Sequence, residues 1–357
     1  PKGYHSKKST RVQKMLARAC NQCTHDDAAA GRGRERDGGI RMLKVGLLGA
    51  GRIGQVHAVN IAGHTRSTLV AVSDIHAEAA STLAAAHGAE ARSSDAILND
   101  PGIDAVLIAT STDTHSDLIE AAARSGKAVL CEKPVDLSLD RAQRCLEAVA
   151  DRAATVMIGF NRRFDPNFAA LKASLLKGDI GKPELLSITS FDPAPPPVDY
   201  IKVSGGLFRD MMIHDFDMAN FLMGDAPVSV SAVGSSIVDP RIGAAGDVDT
   251  AVVTLRYGDG RIAVIKNSRR AVYGYDQRVE LLGATGLLQA GNMLENTVVR
   301  STVDGVVSGK PTYFFLERYM PAYAAEWDAF VGAVLDGRPQ PVTLADGIAA
   351  LALAEAA

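Results

Sequence analysis

The sequence predicts an α/β protein, in which a helix-covered parallel sheet is followed by an α+β domain with a largely antiparallel or mixed sheet. Short apolar runs alternate with helical patterns over about 120 residues, as in consecutive βαβ units. Beyond Phe164 this alternation stops, and strand-like patterns dominate from Val228 to about Val307. The chain has 357 residues, which is enough for two domains of ordinary size.

Five apolar runs in the first half predict buried parallel strands, because such strands lie between two helix layers and are apolar on both faces. The runs are residues 43–51, 68–74, 104–110, 127–133 and 155–160. Helical patterns separate them at 52–62, 76–88, 115–126 and 138–152. We therefore expect right-handed crossover connections within one parallel sheet.

The second half predicts a different architecture. Pro193–Tyr200 is proline-rich and is expected to be a loop, neither helix nor central strand. Gly205–Gly224 predicts a helix, and Tyr257–Arg261 predicts the turn of a hairpin. Helical patterns at 324–337 and 344–357 close the sequence, so we expect a largely antiparallel or mixed sheet with helices.

Composition and charge disfavour several classes of protein. Hydrophobic residues make up 47% and charged residues 22%, as in globular proteins. Residues 1–41 hold ten Lys and Arg against four Asp and Glu, which leaves a net charge of −9 on the remainder. The residues after position 41 are therefore a poor candidate for nucleic-acid binding, which needs a basic face. Without a run of about 18 apolar residues, no membrane span is expected.

The first 41 residues lack periodicity and predict a disordered basic tail. Our hypothesis is that Met42 is the functional start, with a targeting peptide as the alternative. Cys20 and Cys23, with His25 close by, form a conceivable zinc site, but no second ligand pair follows and we predict no metal. Four cysteines in a chain of this length form no disulfide framework, so a cytoplasmic location is expected.

A glycine-rich turn follows the first predicted strand and opens the first predicted helix. Gly49–Gly54 reads Gly-Ala-Gly-Arg-Ile-Gly. In this pattern Gly49 permits the tight turn, Gly51 lets a pyrophosphate approach the backbone, and Gly54 lets helix and strand pack closely. The helix N-terminus then offers free N–H groups to the phosphates. This context predicts a Rossmann fold that binds a dinucleotide.

The choice of dinucleotide depends on Asp74, which ends the second predicted strand. A carboxylate at this position binds the ribose 2′-hydroxyl and repels a 2′-phosphate. The next residue, Ile75, supplies no cation that would attract the phosphate. NAD is therefore predicted rather than NADP.

Two further segments carry polar residues whose types and positions fit a catalytic role. Lys133 follows a predicted strand and precedes Pro134, so it is expected at the carboxyl end of the sheet, where ligands bind. The alternative is a surface lysine before a turn. In the Gly205–Gly224 helix, Asp210, His214 and Asp217 fall on one stripe. That stripe is either a solvated face or the lining of a cleft.

Three motifs together resemble the glucose–fructose oxidoreductase/inositol dehydrogenase/MocA family. They are the Gly49–Gly54 turn, Glu-Lys-Pro at 132–134, and Gly-Gly-x-x-x-Asp-x-x-x-His-Asp-x-Asp from Gly205. Residues 159–165, 272–283 and 317–330 are most similar to bacterial inositol 2-dehydrogenases. The resemblance implies NAD(P) dependence, homotetramers, a Rossmann domain at 42–163 and an open-sheet domain for substrate binding and oligomerisation at 164–357.

The resemblance also implies roles for individual residues. The implied catalytic residues are Lys133, Asp210 and His214. The implied polyol contacts are Arg163, Asp217 and Tyr273, to which we add Asn161 because it lies between matched residues. The predicted dinucleotide contacts are Gly49, Gly51, Arg52, Ile53, Gly54, Asp74, Thr110, His115 and Glu132.

The predicted reaction is the NAD-dependent oxidation of myo-inositol to the 2-keto inosose. His214 would take the hydroxyl proton, Asp210 would orient its imidazole, and Lys133 would stabilise charge on the oxygen. Another sugar or polyol, such as scyllo-inositol or glucose, is the alternative substrate. A non-catalytic dinucleotide-binding sensor is a further alternative, although we expect such a protein to lack the lysine or the histidine. Metal binding by the stripe is disfavoured, because a dinucleotide alone suffices for hydride transfer.

Overall fold

The structure is a computed structural model that describes residues 41–152 and 154–357. The expectations for the tail and for its cysteines fall on residues 1–40, outside the described residues. Contacts divide the described chain into two compact units. We call the described residues up to Phe160, together with Tyr323–Ala349, the N-terminal unit. The C-terminal unit consists of Asn161–Ala322 and Ala350–Ala357.

The N-terminal unit is built on a six-stranded parallel sheet. Its strands are β1 (Leu43–Leu48), β2 (Ser67–Ser73), β3 (Glu90–Ala91), β4 (Ala105–Ile108), β5 (Ala128–Glu132) and β6 (Val156–Gly159). Their order is β3-β2-β1-β4-β5-β6, and every neighbouring pair is parallel. The predicted parallel sheet is thus confirmed. Strand β3 was not predicted, because its two residues are exposed and lack an apolar pattern.

Helices of the N-terminal unit connect these strands. They are α1 (Arg52–Gly63), α2 (Ala77–Ala86), α3 (Ser94–Asn99), α4 (His115–Arg124) and α5 (Leu139–Val149). Hydroxyl caps fix two of the helix starts. Ser93 accepts a hydrogen bond from the Ala96 N–H, and Ser138 accepts one from the Arg141 N–H. Only the short α3 was not predicted among these five.

The C-terminal unit contains a second six-stranded sheet. Its strands are β7 (Pro183–Phe191), β8 (Ser229–Ser235), β9 (Thr250–Arg256), β10 (Ile262–Ser268), β11 (Asp276–Gly283) and β12 (Gly286–Ala290). Their order is β12-β11-β7-β10-β9-β8, in which β7 and β10 are parallel and the other pairs antiparallel. The predicted mixed sheet is confirmed. Strands β13 (Val299–Thr302) and β14 (Gly305–Ser308) pair with each other in a separate sheet.

One face of this second sheet carries a continuous row of four apolar side chains. The strand register places Leu287 beside Leu282, Leu282 beside Leu185, and Leu185 beside Ile262. Each of the four is between 39% and 46% exposed. The next residue on β7, Leu186, points to the opposite face and is fully buried. The unit therefore covers one face of the sheet and leaves the other open.

Four α-helices and one π-helical turn lie between residues 161 and 314 of the C-terminal unit. They are α6 (Pro166–Lys177), α7 (Val198–Ser204), the π turn (Leu207–Met211), α8 (Ile213–Met223) and α9 (Pro240–Ala244). The prediction that Pro193–Tyr200 is entirely loop is wrong at its end, because α7 begins at Val198. Its N-cap is Pro197, and a proline at a helix start disrupts no intrahelical hydrogen bond.

The last two helices are α10 (Phe315–Asp336) and α11 (Leu344–Ala356). From Tyr323 on, α10 belongs to the N-terminal unit, where the Trp327 indole N–H donates to the Ser67 hydroxyl at 2.9 Å. Arg66 forms two hydrogen bonds with Asp336 in the same unit. The prediction of a single division at residue 163 did not include this return of the chain. No helix among the described residues has both the length and the hydropathy to cross a membrane.

Candidate active site

The glycine-rich turn of the N-terminal unit is built by close backbone contacts. Gly49 has a φ of +104°, and a Cβ there would clash with the carbonyl group of Ala109. A Cβ on Gly54 would clash with the carbonyl oxygen of Gly49. Gly49 therefore lets the turn approach the segment that follows β4, and Gly54 lets the start of α1 approach the turn.

Gly51 differs from the other two glycines, since a Cβ there would meet no atom within 4 Å. It is the N-cap of α1, with an ordinary φ of −69°, and offers no side chain to the helix N–H groups. Its neighbour Arg52 is exposed, and Ile53 is partly exposed. Open space beside backbone N–H groups at a helix N-terminus fits a pyrophosphate. The arrangement of the three glycines therefore fits a dinucleotide.

Asp74 lies directly after β2 and beside the glycine turn. Its carboxylate accepts hydrogen bonds from the N–H of Ala50 at 2.7 Å and from the N–H of His76 at 2.8 Å. The residue after Asp74 is Ile75, which is apolar and 95% exposed, so this position supplies no cation. The structure brings Asp74 to the turn, which fits the predicted contact with a ribose. That contact itself stays a prediction.

Thr110 and His115 lie in the connection from β4 to α4. The Thr110 hydroxyl hydrogen-bonds the Thr114 hydroxyl at 2.7 Å. His115 is buried, with Nδ1 2.8 Å from the carbonyl oxygen of Pro134 and Nε2 3.2 Å from that of Thr110. Burial lowers the pKa of His115, although both carbonyl groups oppose this effect. The histidine thus links the Thr110 segment to the segment that follows Lys133.

Glu132 and Lys133 end strand β5. The Glu132 carboxylate is buried and lies 2.7 Å from Nε2 of His57, which is fully buried on α1. Lys133 is partly exposed, and its peptide bond to Pro134 is cis, the bend that the sequence left open. His57 was missed by sequence reasoning. The signal was a histidine on a core-facing position of the helix that the glycine turn opens.

Asp210 and His214 lie in the C-terminal unit, but not on one α-helix as predicted. Asp210 belongs to the π turn, in which the Met212 N–H bonds the carbonyl of Leu207. His214 lies in the first turn of α8 and is partly exposed on a mostly buried helix. The prediction of an uninterrupted α-helix with one polar stripe is therefore wrong. A π turn inserts an extra residue per hydrogen-bonded ring and changes the side-chain spacing.

Asp210 is surrounded by polar and cationic groups. It accepts a hydrogen bond from the Tyr200 hydroxyl at 3.0 Å, and its other oxygen lies 3.7 Å from a guanidinium nitrogen of Arg269. Arg269 is 1% exposed. Asp210 therefore has a neutral donor on one carboxylate oxygen and a buried cation near the other.

Asp217 and Arg163 form a buried ion pair. The guanidinium donates to both carboxylate oxygens at 2.9 and 2.6 Å, and it also lies over the Phe221 ring at 5.0 Å. Both residues had been predicted as polyol contacts, with no expectation that they would bind each other. Asn161 lies two residues before Arg163 and is 2% exposed. Removing one partner of such a pair typically costs about 3–5 kcal/mol, because a charge is left buried.

A second buried network lies beside this pair and was not predicted. Arg162 donates to Asp215 at 2.6 Å, and Asp215 also accepts from Ser190 and Asn267. Burial raises the pKa of Asp215, while Arg162 and the donors act in the opposite direction. The partners come from segments more than twenty residues apart, and no local sequence pattern indicates such contacts.

Tyr273 lies in a different environment. It is 47% exposed and donates a hydrogen bond to Asp276 at 2.7 Å. Burial of its hydroxyl group and this hydrogen bond raise the pKa of Tyr273 to about 12. The phenol therefore stays protonated at neutral pH, donates its hydrogen bond to Asp276, and can accept a hydrogen bond at its oxygen.

Neither the cysteines nor any acidic cluster of the described chain indicates metal or thiol chemistry. Cys131 and Cys145 are free and buried, and burial raises the pKa of both thiols, to about 12 for Cys145. Among residues 41–152 and 154–357, no group of three or more His, Cys, Asp or Glu side chains could hold a metal ion. The thiols fit the interpretation of small core residues.

Comparison with known proteins identifies the two halves of the chain. Residues 43–160 match the model of an oxidoreductase family with an NAD-binding Rossmann fold, and residues 168–289 match the GFO/IDH/MocA C-terminal domain. The chain is 51% identical to the inositol 2-dehydrogenase of Rhizobium meliloti over 88% of this chain and 96% of that one. It is 47% identical to the myo-inositol 2-dehydrogenase of Thermotoga maritima, over 88% and 95% respectively.

Among solved structures, the chain is similar to the scyllo-inositol dehydrogenase of Lactobacillus casei with bound NAD(H) and scyllo-inositol. The TM-score is 0.82 at 30% identity, and the match covers 88% of this chain and 96% of that one. Both domain models and the full-length relatives agree with the two sheets described above. The chain therefore belongs to the GFO/IDH/MocA family and is an oxidoreductase with an NAD-binding Rossmann domain.

Proposed function

We propose that the protein oxidises myo-inositol, a cyclic polyol, to the 2-keto inosose with NAD as the hydride acceptor. The observation that carries this proposal is the 51% identity to an inositol 2-dehydrogenase over nearly the whole of both chains. The chain also has Lys133, Asp210 and His214, the residue types that the oxidation of an alcohol requires.

The cofactor is held by the N-terminal unit in this proposal. The backbone N–H groups at the start of α1 would bind the pyrophosphate beside Gly51, and the Asp74 carboxylate would accept hydrogen bonds from the ribose. Arg52, Ile53, Thr110, His115 and Glu132 complete the proposed surroundings. When bound, NAD supplies the ring that accepts the hydride.

In this proposal the C-terminal unit supplies the residues for proton transfer. His214 takes the proton of the reacting hydroxyl group, because an imidazole is neutral and basic near neutral pH. Asp210 stabilises the imidazolium that forms, and its carboxylate lies 3.7 Å from a guanidinium nitrogen of Arg269. Lys133 donates a hydrogen bond to the reacting oxygen and stabilises its negative charge.

The remaining hydroxyl groups of the polyol need fixed partners. We propose Arg163, Asp217, Asn161 and Tyr273 for this role. Because Arg163 and Asp217 bind each other, we expect them to act as one rigid pair rather than as two independent contacts. A rigid pair loses little conformational entropy when a substrate binds.

A related polyol is the second candidate substrate. The Lactobacillus casei relative, which binds scyllo-inositol, shares 30% identity with this chain, against 51% for the inositol 2-dehydrogenase of Rhizobium meliloti. The two inositols differ in the orientation of one hydroxyl group, so the choice between them depends on a few hydrogen bonds. The higher identity favours myo-inositol.

A panel of polyols tests the proposal. Formation of NADH is followed at alkaline pH with myo-inositol, scyllo-inositol, glucose and a no-substrate control. We expect the highest kcat/KM with myo-inositol and NAD, and at least a tenfold lower value with NADP. Higher kcat/KM with scyllo-inositol would move the assignment to that substrate, and no turnover with any polyol would favour a sensor.

His214→Ala tests the acid–base assignment in the same assay. Loss of a general base typically lowers the rate about 10²–10⁴-fold. We expect kcat to fall by that factor, while NADH binding, measured by fluorescence titration, stays within about twofold. If the variant retains most of its turnover, His214 is not the base.

We propose in addition that the protein forms a homotetramer and acts in the cytoplasm. The open face of the second sheet, with the row Leu185, Ile262, Leu282 and Leu287, supports assembly with further copies of the chain. The free, buried state of Cys131 and Cys145 accords with a reducing compartment.

A further inference from the structure

A buried pair connects helix α1 to the end of strand β5. His57 has no exposed surface, and its Nε2 lies 2.7 Å from Oε1 of Glu132, which is 8% exposed. The rings of His57 and Tyr323 pack edge to face, with their centroids 5.5 Å apart. The imidazole is therefore enclosed on several sides. A hydrogen bond of this length between buried groups is electrostatically stronger than the same bond at the surface.

The neighbouring strand leaves room for this pair. Gly159 of β6 lies beside Glu132 in the sheet, and a Cβ there would be 3.2 Å from the Glu132 carboxyl carbon. A Cβ at position 159 would require the carboxylate or the strand to shift by a few tenths of an ångström. The carboxylate is thus confined by the strand on one side and by the imidazole on the other.

The hydrogen bond to Glu132 determines which nitrogen of the His57 ring acts as the donor. A buried carboxylate needs a donor, because an unpaired one is costly. The imidazole provides this donor through Nε2, the nitrogen that faces the carboxylate. Its other nitrogen, Nδ1, has no hydrogen-bond partner among the described residues. The contact with Glu132 is therefore the interaction that orients this ring.

The residue after Lys133 is held by a second histidine. Nδ1 of the buried His115 lies 2.8 Å from the carbonyl oxygen of Pro134. The Ser116 hydroxyl donates to the carbonyl of Val135 at 3.3 Å. Lys133 thus lies between two anchored residues, Glu132 on one side and Pro134 on the other. A side chain placed on such a fixed backbone segment is pre-oriented.

We propose that His57 is a positioning residue for Lys133, acting through its hydrogen bond to Glu132. The pair fixes the end of β5 to α1, the helix that the glycine turn opens. The role of Lys133 itself rests on the proposed function. A displacement of about 1 Å at a catalytic group can lower a rate about 100-fold, so loss of the anchor is expected to reduce turnover.

Two substitutions separate the hydrogen bond from mere packing. His57→Leu fills much of the space but removes the donor, whereas His57→Gln keeps an N–H donor near the position of Nε2. We expect His57→Leu to lower kcat for the polyol at least tenfold, with the KM for polyol and the affinity for NADH within about threefold. His57→Gln is expected to retain at least a third of the wild-type kcat.

A matched control and a second measurement keep the proposal testable. Ile61→Val changes another fully buried residue of α1 and should destabilise the protein by about 0.5–1.5 kcal/mol without lowering kcat. Hydrogen exchange of the peptide 131–136, measured by mass spectrometry without substrate, should be faster in His57→Leu and close to wild type in His57→Gln.

Three results would overturn the proposal. They are unchanged kcat in His57→Leu, an equal loss of kcat in both His57 variants, and hydrogen exchange of peptide 131–136 that stays at the wild-type rate in His57→Leu. The exchange experiment needs no turnover. If the wild type oxidises no polyol but exchange behaves as expected, the proposed function fails while the anchoring by His57 stands.

Discussion

Asp192 shows how single residues in the C-terminal unit determine one another's charge. It follows β7 directly, with its N–H bonded to the carbonyl of Ser268 and its carbonyl to the N–H of Ala271. Burial raises the pKa of Asp192 to about 6, and the negative charge of Asp210 acts in the same direction. Arg269 opposes both effects but does not cancel them. Its surroundings therefore disfavour an ionised carboxylate at this position.

The raised pKa of Asp192 predicts a pH-dependent effect on stability. The ordinary pKa of the carboxyl group is 3.8. Between this value and about 6, the folded protein binds more protons at Asp192 than the unfolded chain, so stability falls as pH rises through this window. Asp192→Asn removes this pH-dependent loss of stability, because an amide side chain does not ionise. We expect it to raise the free energy of unfolding by about 1–3 kcal/mol at about pH 8, and by a smaller amount at about pH 4.5.

Urea denaturation of wild type and Asp192→Asn at the two pH values measures this difference. Asp179→Asn is the control, because its side chain is exposed and it should change stability equally at both pH values. A stabilisation by Asp192→Asn that is the same at both pH values would show that the carboxyl charge is not its cause.

At the scale of elements, the turn from β1 to α1 predicts opposite effects for two neighbouring glycines. A Cβ on Gly54 would clash with the Gly49 carbonyl, whereas a Cβ on Gly51 would enter open space. Gly54→Ala should therefore destabilise the protein by about 1–3 kcal/mol through overpacking. Gly51→Ala should change stability by less than about 1 kcal/mol, yet weaken NADH binding at least tenfold if a phosphate approaches there.

Urea denaturation without cofactor and NADH fluorescence titration distinguish these effects. The two variants serve as controls for each other, since each adds one methyl group to the same turn. Unchanged NADH affinity in Gly51→Ala would contradict the assignment of this turn to the pyrophosphate. Unchanged stability in Gly54→Ala would show that α1 can move away from β1 at little cost.

The elements were predictable to different degrees, for physical reasons. Strands β4, β5 and β6 are buried on both faces, so their apolar runs were sufficient to identify them. The π turn at Leu207–Met211 was not predictable, because the apolar residues there fit an ordinary helix equally well. The bond between His57 and Glu132 was missed because 75 residues separate its partners. Sequence patterns indicate periodicity, whereas pairs of this kind depend on tertiary structure.

At the scale of the whole molecule, the same distinction applies to the path of the chain. The glycine turn and the alternation of elements predicted the Rossmann domain, and strand patterns predicted the mixed sheet. The return of Tyr323–Ala349 to the N-terminal unit was not foreseen. Its anchors are single contacts, such as the indole of Trp327 with Ser67 and the bridge between Thr343 and Met157. A helical pattern such as that of α10 predicts a helix but does not predict which sheet the helix packs against.

The open face of the second sheet predicts that assembly depends on the apolar row. Leu185 lies in the middle of this row, between Leu282 and Ile262. In an assembled tetramer a buried leucine contributes about 1.5–3 kcal/mol, and a buried carboxylate is strongly unfavourable. We expect Leu185→Glu to shift the proposed wild-type tetramer to smaller species in light scattering after size exclusion. Val303→Glu is the control, because Val303 is fully exposed in the separate hairpin and should leave the mass unchanged. A monomeric wild type, or a Leu185→Glu variant with the wild-type mass, would contradict assembly through this face.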